Sequence, residues 1–94
     1  MGIFDRKSKK EDRVQYSHAR TKMFFEAIRA VAENYKADFF IMTVEGQKQF
    51  LANEKELIID TAIQMYGSDF EELRNFRWFV VENEGNAVIY FERK

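Results

Sequence analysis

The spacing of apolar residues between Val14 and Tyr35 predicts an amphipathic helix. Mostly apolar side chains recur there at steps of three and four, so one helix face comprises Thr21, Phe24, Ile28, Val31 and Tyr35. A second, weaker line has the same spacing and comprises Tyr16, Ala19, Met23, Ala27 and Ala30. Two apolar lines indicate either a helix that is buried on two sides or a helix that also meets a partner. We therefore expect a first helix over residues 14–34.

Residues 39–44 predict a strand, because they form a continuous apolar and partly β-branched run of strand length. Continuous apolarity, as opposed to alternation, favours a strand that is covered on both faces. Glu45 and Gly46 follow this run and suit a two-residue turn. The segment 47–52 fits either a return strand or the first turns of the next helix, with a slight preference for the strand.

Asn53 marks the predicted start of a second helix over residues 54–66. It suits an N-cap, and Glu56 three residues later completes a pattern that resembles a capping box. The core face of this helix is expected to comprise Ile58, Ala62, Met65 and Tyr66. Gly67 is expected to end the helix, and Ser68 to start a short third helix.

The C-terminal residues carry the strongest β signal, with strands predicted over 77–82 and 87–92. Gly85 can supply the left-handed residue of a three-residue loop with a bulge. In that register the face towards the helices comprises Phe79, Val81, Ile89 and Phe91. The opposite, exposed face then comprises Trp78, Val80, Val88 and Tyr90. A two-residue loop would mix the two sets, because a slip of one residue turns every side chain to the other face.

These elements predict a two-layer α+β domain over residues 13–94. We expect an antiparallel sheet of three to four strands with the helices packed on one face, in the element order α-β-(β)-α-α-β-β. Residues 1–12 are rich in charged side chains and are predicted to form a flexible basic tail.

Composition favours a globular protein, since 46% of the residues are apolar and 33% are charged. The chain has no cysteine, so it has neither disulfides nor thiolate metal ligands. No apolar run approaches the roughly 20 residues of a membrane span, and the first ten residues lack the apolar stretch of a signal peptide. We therefore expect a cytoplasmic protein.

The residues that catalysis requires are few in this chain. His18 is the only histidine, and it is expected on the polar side of the first helix, with Lys22 one helical turn further on. Glu56 and Asp60 could share a cation, but two carboxylates on a helix surface are far more often solvated. The four glycines are isolated, so they do not form a phosphate-binding loop. We predict a protein that is not an enzyme and that binds no cofactor and no metal.

Exposed apolar residues instead predict a contact with a protein partner or with a second copy of the chain. Aromatic residues are over-represented at the centres of interfaces, and methionine adapts to irregular surfaces. The predicted contact residues are Tyr16 and Met23 on the helix together with Trp78, Val80, Val88 and Tyr90 on the exposed sheet face. The expected role is that of a small regulatory protein, inhibitor or accessory factor, a class that includes phage-encoded proteins.

The alternative is binding of RNA or single-stranded DNA. Residues 1–22 hold seven basic and three acidic side chains, a net charge of +4, whereas residues 45–72 hold two basic and seven acidic ones, a net charge of −5. Basic groups beside an aromatic ring suit phosphates and stacked bases. The predicted nucleic-acid contacts are Lys7, Lys9, Lys10, Arg13, Arg20, Arg74 and Arg77, flanking Trp78. A net charge of −1 is unlike the strongly basic domains that usually bind nucleic acid.

Overall fold

A computed structural model describes residues 13–94 as two long helices packed against one side of a small sheet. In chain order the elements are β1 (Arg13–Val14), α1 (His18–Glu33), a first 3-10 helix (Phe39–Ile41), α2 (Val44–Tyr66), a second 3-10 helix (Ser68–Asn75), β2 (Phe76–Asn83) and β3 (Asn86–Arg93). The predicted α+β class, with an antiparallel sheet and helices on one face, is confirmed. The predicted tail over residues 1–12 lies outside the described residues.

Helix α1 begins at His18 because Ser17 caps it, with the Ser17 Oγ accepting a hydrogen bond from the Arg20 N–H at 3.1 Å. It ends at Glu33, close to the predicted end. The predicted start at Val14 is four residues early, because Val14 pairs with Phe91 in the sheet. Pairing with the far end of the chain thus overrides the helical spacing of the first residues.

The predicted strand over residues 39–44 is wrong. Asp38 caps a 3-10 helix in its place, since its Oδ1 accepts the Phe40 N–H at 3.0 Å. Thr43 then caps α2 by accepting the Gly46 N–H at 3.0 Å. Two side chains that hydrogen-bond their own local backbone therefore replace a strand ladder.

Helix α2 therefore includes the residues that were predicted to form a turn and a return strand. Glu45 and Gly46 lie in its first turn, residues 47–52 are helical, and Asn53 is an interior residue where an N-cap was predicted. The predicted end is confirmed, because Gly67 has a φ of 121° and donates its N–H to the Ile63 carbonyl at 2.8 Å.

The sheet is three-stranded and antiparallel in the order β1-β3-β2, so β3 lies in the centre. Arg13 and Val14 supply the short third strand opposite Glu92 and Phe91. The sequence favoured one or two strands in the middle of the chain. In the described residues, no strand lies between β1 and β2.

The register of the C-terminal hairpin differs from the predicted one by one residue. Asn83 pairs with Asn86, so the loop has only two residues. Glu84 and Gly85 both have positive φ values, 53° and 82°, as a type I′ turn requires. This turn matches the twist of the strands and makes a bulge unnecessary. The face towards the helices therefore comprises Trp78, Val80, Ile89 and Phe91, and the opposite face comprises Phe79, Val81, Val88 and Tyr90.

The core lies between the inner sheet face and the two long helices. Phe24 of α1 is at the junction, with its ring centroid 5.2 Å from that of Trp78 and 5.1 Å from that of Phe91. The residues of α2 that are buried include Leu51, Ile58, Ile59 and Ala62. Met65 and Tyr66, which the sequence placed on the core face, are exposed. Helix packing therefore leaves the other side of the sheet uncovered in the described part of the chain.

Candidate functional site

An apolar surface lies on the side of the hairpin away from the helices. Phe79 and Tyr90 stack there, with ring centroids 5.1 Å apart and an angle of 17° between the rings. Val81 and Val88 form the next cross-strand pair, and each is 40% exposed. The Arg13 guanidinium lies 4.4 Å from the centroid of the Tyr90 ring. We call these five residues the outer hairpin surface.

The local sequence explains why this surface is both ordered and apolar. Directly opposed side chains in an antiparallel pair are close enough to pack, and both aromatic and β-branched pairs stabilise a sheet. The outer hairpin surface contains one pair of each kind, side by side. Arg13 joins them because the β1–β3 pairing places it opposite Glu92, beside Tyr90. The result is a row of rigid side chains that needs no covering layer to form.

Two of the predicted contact residues, Trp78 and Val80, lie on the opposite face. The Trp78 indole Nε1 donates a hydrogen bond to the Leu73 carbonyl at 3.2 Å, and its ring packs against Phe24. Val80 is buried in the core. The prediction that both residues are exposed is wrong because it depended on a three-residue loop.

Val88 and Tyr90 are on the outer face, as predicted, and Phe79 and Val81 join them there. The sequence prediction missed Phe79 and Val81. The signal that could have found them is the dipeptide Glu84-Gly85, because a two-residue loop pairs position 81 with position 88.

The predicted contact line on α1 does not form a continuous surface. Tyr16 precedes the helix, and its ring packs 5.4 Å from that of Phe91. Its hydroxyl donates to the Glu72 carboxylate at 3.0 Å, and burial raises the pKa of Tyr16 to about 12. Ala27 is fully buried, while Met23 remains 37% exposed. Met23 is thus the only large side chain of this line that is exposed, since the other exposed member, Ala19, is small.

The basic residues predicted to bind nucleic acid are not brought together. Arg20 donates to the Glu72 carboxylate at 3.0 Å and to the Asp69 carbonyl at 3.1 Å. Its guanidinium also lies 4.5 Å from the centroid of the Phe70 ring. Arg20 therefore joins α1 to the second 3-10 helix, and its charge is already matched.

Arg74 is occupied in the same way by three carboxylates. It pairs with Asp60 at 2.6 Å and also with Glu56 and Glu71. The hydrogen bond with Glu71 is the largest of the effects that raise the pKa of Arg74. Of the predicted set, Arg13 and Arg77 lie on the outer side of the sheet, and Lys7, Lys9 and Lys10 lie outside the described residues.

A smaller apolar patch lies at the first 3-10 helix, where Ile41 is 81% exposed. Its neighbour Phe40 packs against Phe25, with ring centroids 5.7 Å apart, and under the Arg29 guanidinium at 5.4 Å. Phe40 is itself 45% exposed, so the patch is a second exposed apolar area, with fewer residues than the outer hairpin surface.

Within residues 13–94, no group of three or more potential metal ligands comes together. Across that same part of the chain, no helix combines the length and apolarity that a membrane crossing requires. Lys55 donates to the Phe76 carbonyl at 2.8 Å, and burial lowers its pKa.

Comparison of the chain with family models, with curated proteins and with solved structures finds no match. Proposals about its function therefore depend on the geometry described above.

Proposed function

We propose that the chain is a small, non-catalytic protein-binding module with a regulatory or accessory role, and that a protein partner or a second copy contacts the outer hairpin surface. The observation that carries this proposal is the uncovered sheet face with its stacked Phe79–Tyr90 pair and its exposed Val81–Val88 pair. Aromatic residues and arginine are enriched at interface centres, and this surface has both.

The arrangement suits binding because most of its side chains are already held in place. Phe79 and Tyr90 fix each other by stacking, and Arg13 lies against the Tyr90 ring. A partner that covers them therefore loses little side-chain entropy to ordering, and ordering is one of the main costs of association. Val81 and Val88 add apolar area beside the aromatic pair, and burial of that area favours a complex.

Lysine substitutions at Val81 and Val88 are expected to abolish association while the chain stays folded. A hot-spot loss of about 2 kcal/mol or more corresponds to a roughly 30-fold weaker complex. Both side chains point to solvent, so the free energy of unfolding should change by less than about 1 kcal/mol. Light scattering of the purified chain reports self-association, and affinity capture with the immobilised chain reports a separate partner.

The matched control is the double variant Leu57→Lys and Met65→Lys, because these α2 residues are 40% and 46% exposed and lie away from the sheet. The control should associate as the unchanged chain does. A chain that neither self-associates nor retains a protein would contradict the proposal, as would equal losses from the two double variants.

Binding of single-stranded nucleic acid at the same surface is the second candidate, and one observation favours it. Arg13 and Arg77 lie on the outer side with two stacked rings, and phosphates and bases use such groups. A labelled RNA or single-stranded DNA oligonucleotide at low salt tests it. The candidate requires an anisotropy change that falls with added salt and disappears when Arg13 and Arg77 are both replaced by glutamine.

A further inference from the structure

The central strand β3 is paired along only part of the edge that it presents to β1. On that side Val14 lies opposite Phe91 and Arg13 opposite Glu92. The chain then leaves the sheet towards α1, so β3 has no strand opposite residues 86–90 on this side within the described chain. Within residues 13–94 the sheet therefore has an open edge about five residues long, or roughly 17 Å at the usual rise of a strand.

The phase of the ladder shows which backbone groups lie on that edge. The Lys94 N–H donates to the Asn75 carbonyl at 3.2 Å, just beyond the last β2–β3 pair. Hydrogen-bonded residues alternate along an antiparallel strand, so even-numbered residues of β3 direct their backbone groups to β2. Ala87 and Ile89 therefore direct their N–H and C=O groups away from β2, to the side where β1 has ended.

A groove of about 600 Å³ lies beside part of this edge, at residues 88–91 of β3. One wall is the hairpin, including Ile89 and Tyr90, and the other is the segment from β1 to α1, including Tyr16, Thr21 and Phe24. The groove thus combines apolar and polar side chains with the backbone groups of Ile89 that are unpaired within the described residues, and those of Ala87 lie next along the same edge. Unpaired backbone groups on the edge of a strand are satisfied best by another extended backbone.

We infer that the partner inserts a single extended segment into this groove and adds it to the sheet as a strand beside residues 86–90. This inference deepens the proposed function, on which it rests, by naming the form of the partner. A groove with two walls holds one strand more readily than the edge of a second sheet. Addition of a strand to an open edge is an established mode of peptide recognition.

The side chains of the inserted segment follow from the two faces of the sheet. Alternate residues would point to the inner side, near Phe24 and Ile89, and should be apolar. The remaining residues would lie beside Tyr90 and Arg13 on the outer side. Arg13 forms no ion pair with a carboxylate of residues 13–94, so an acidic residue is favoured at the position nearest to it.

The probe comes from a phage-displayed library of random seven-residue peptides, which is panned on the intact chain. A synthetic peptide with the enriched sequence is then titrated into the chain. Amide exchange of the free chain should be fast at Ala87 and Ile89 and slow at Val88 and Tyr90. The bound peptide should slow exchange at Ala87 and Ile89.

Ala87→Pro removes one edge donor without removing a β2–β3 bond, whereas Ala87→Ser retains the donor. The proline variant should bind the peptide about five- to tenfold more weakly, the usual effect of one lost hydrogen bond, and the serine variant should bind it normally. Slow exchange at Val88 and Tyr90 shows that the proline variant keeps its hairpin. If the proline variant loses its hairpin, the test is the amide exchange of Ile89 in the unchanged chain. That exchange should become slow when the peptide binds.

The inference is overturned if panning enriches no alternating sequence, if bound peptide leaves Ala87 and Ile89 in fast exchange, or if a folded Ala87→Pro variant binds normally. Association that depends on Val81 and Val88 but is unchanged in a folded Ala87→Pro variant would overturn the inserted strand and keep the proposed function. Association that is weakened in a folded Ala87→Pro variant but does not depend on Val81 and Val88 would support the inserted strand. It would contradict the outer hairpin surface as the main contact.

Discussion

Replacing Phe24 with alanine is expected to lower the free energy of unfolding by about 3–5 kcal/mol, the usual cost of emptying a buried aromatic site. Phe24 is 1% exposed, and its ring meets Trp78 and Phe91 edge-on. The substitution therefore removes the side chain that joins α1 to the inner sheet face. Urea denaturation followed by circular dichroism measures the change.

The adjacent variant Met23→Ala is the matched control, because Met23 lies on the same helix and is 37% exposed. It should change the free energy of unfolding by less than about 1 kcal/mol. Similar losses from the two variants would mean that α1 does not present the Phe24 side to the sheet. The loss expected for Phe24→Ala is a large share of the total free energy of unfolding, since a domain of this size is stable by only about 5–15 kcal/mol.

Replacing Glu54 with proline is expected to lower the free energy of unfolding by about 3 kcal/mol or more. Residue 54 lies near the middle of α2, where proline removes an internal hydrogen bond and clashes with the preceding turn. In a helix that began at residue 54, the same proline would occupy the first position and would be tolerated. Thermal and urea denaturation of the variant therefore separate a continuous helix from one that starts after Asn53.

Glu54→Ala is the control for the side chain alone. It removes the hydrogen bond that the Tyr35 hydroxyl donates to Glu54 at 2.8 Å, on the protein surface, and leaves the helix backbone intact. The expected change is within about 1 kcal/mol. A proline variant as stable as the alanine variant would contradict the continuous helix.

The elements with strong internal patterns could be predicted from the sequence. The face of α1 around Phe24, Ile28 and Val31 repeats at helical spacing, and all three residues are buried. The hairpin was also predicted, since two strand-like runs flank a glycine-containing turn. In both cases the information lies within a few residues of the element that it specifies.

The middle of the chain could not be predicted in the same way. Residues 39–44 have the composition of a strand, but Asp38 caps a 3-10 helix at the start of that run and Thr43, within the run, caps α2. A capping side chain and a turn-forming one are of the same residue types, so composition alone does not separate them. Strand β1 was missed for a different reason. Its partner lies at the other end of the chain, and a strand of two residues is too short to show an alternating pattern of apolar and polar residues.

The candidate site was only partly predictable because it depends on one residue of loop length. Whether Trp78 or Phe79 faces outward follows from a two- or three-residue turn, and the sequence favoured the longer one. The ion pairs of Arg20 and Arg74 were not predictable either, since Glu72 and Glu56 are brought to them by packing. These pairs convert two predicted nucleic-acid contacts into groups that join the elements of the fold.

Hydroxyl-radical footprinting of the chain, alone and in its complex, tests the outer hairpin surface most directly. Phe79 and Tyr90 are expected to react in the free chain and to be protected in the complex. Met65 and Tyr66, which are exposed at the far end of α2, should react equally in both states. Protection of Met65 and Tyr66 with unchanged reactivity at Phe79 and Tyr90 would contradict the outer hairpin surface as the contact.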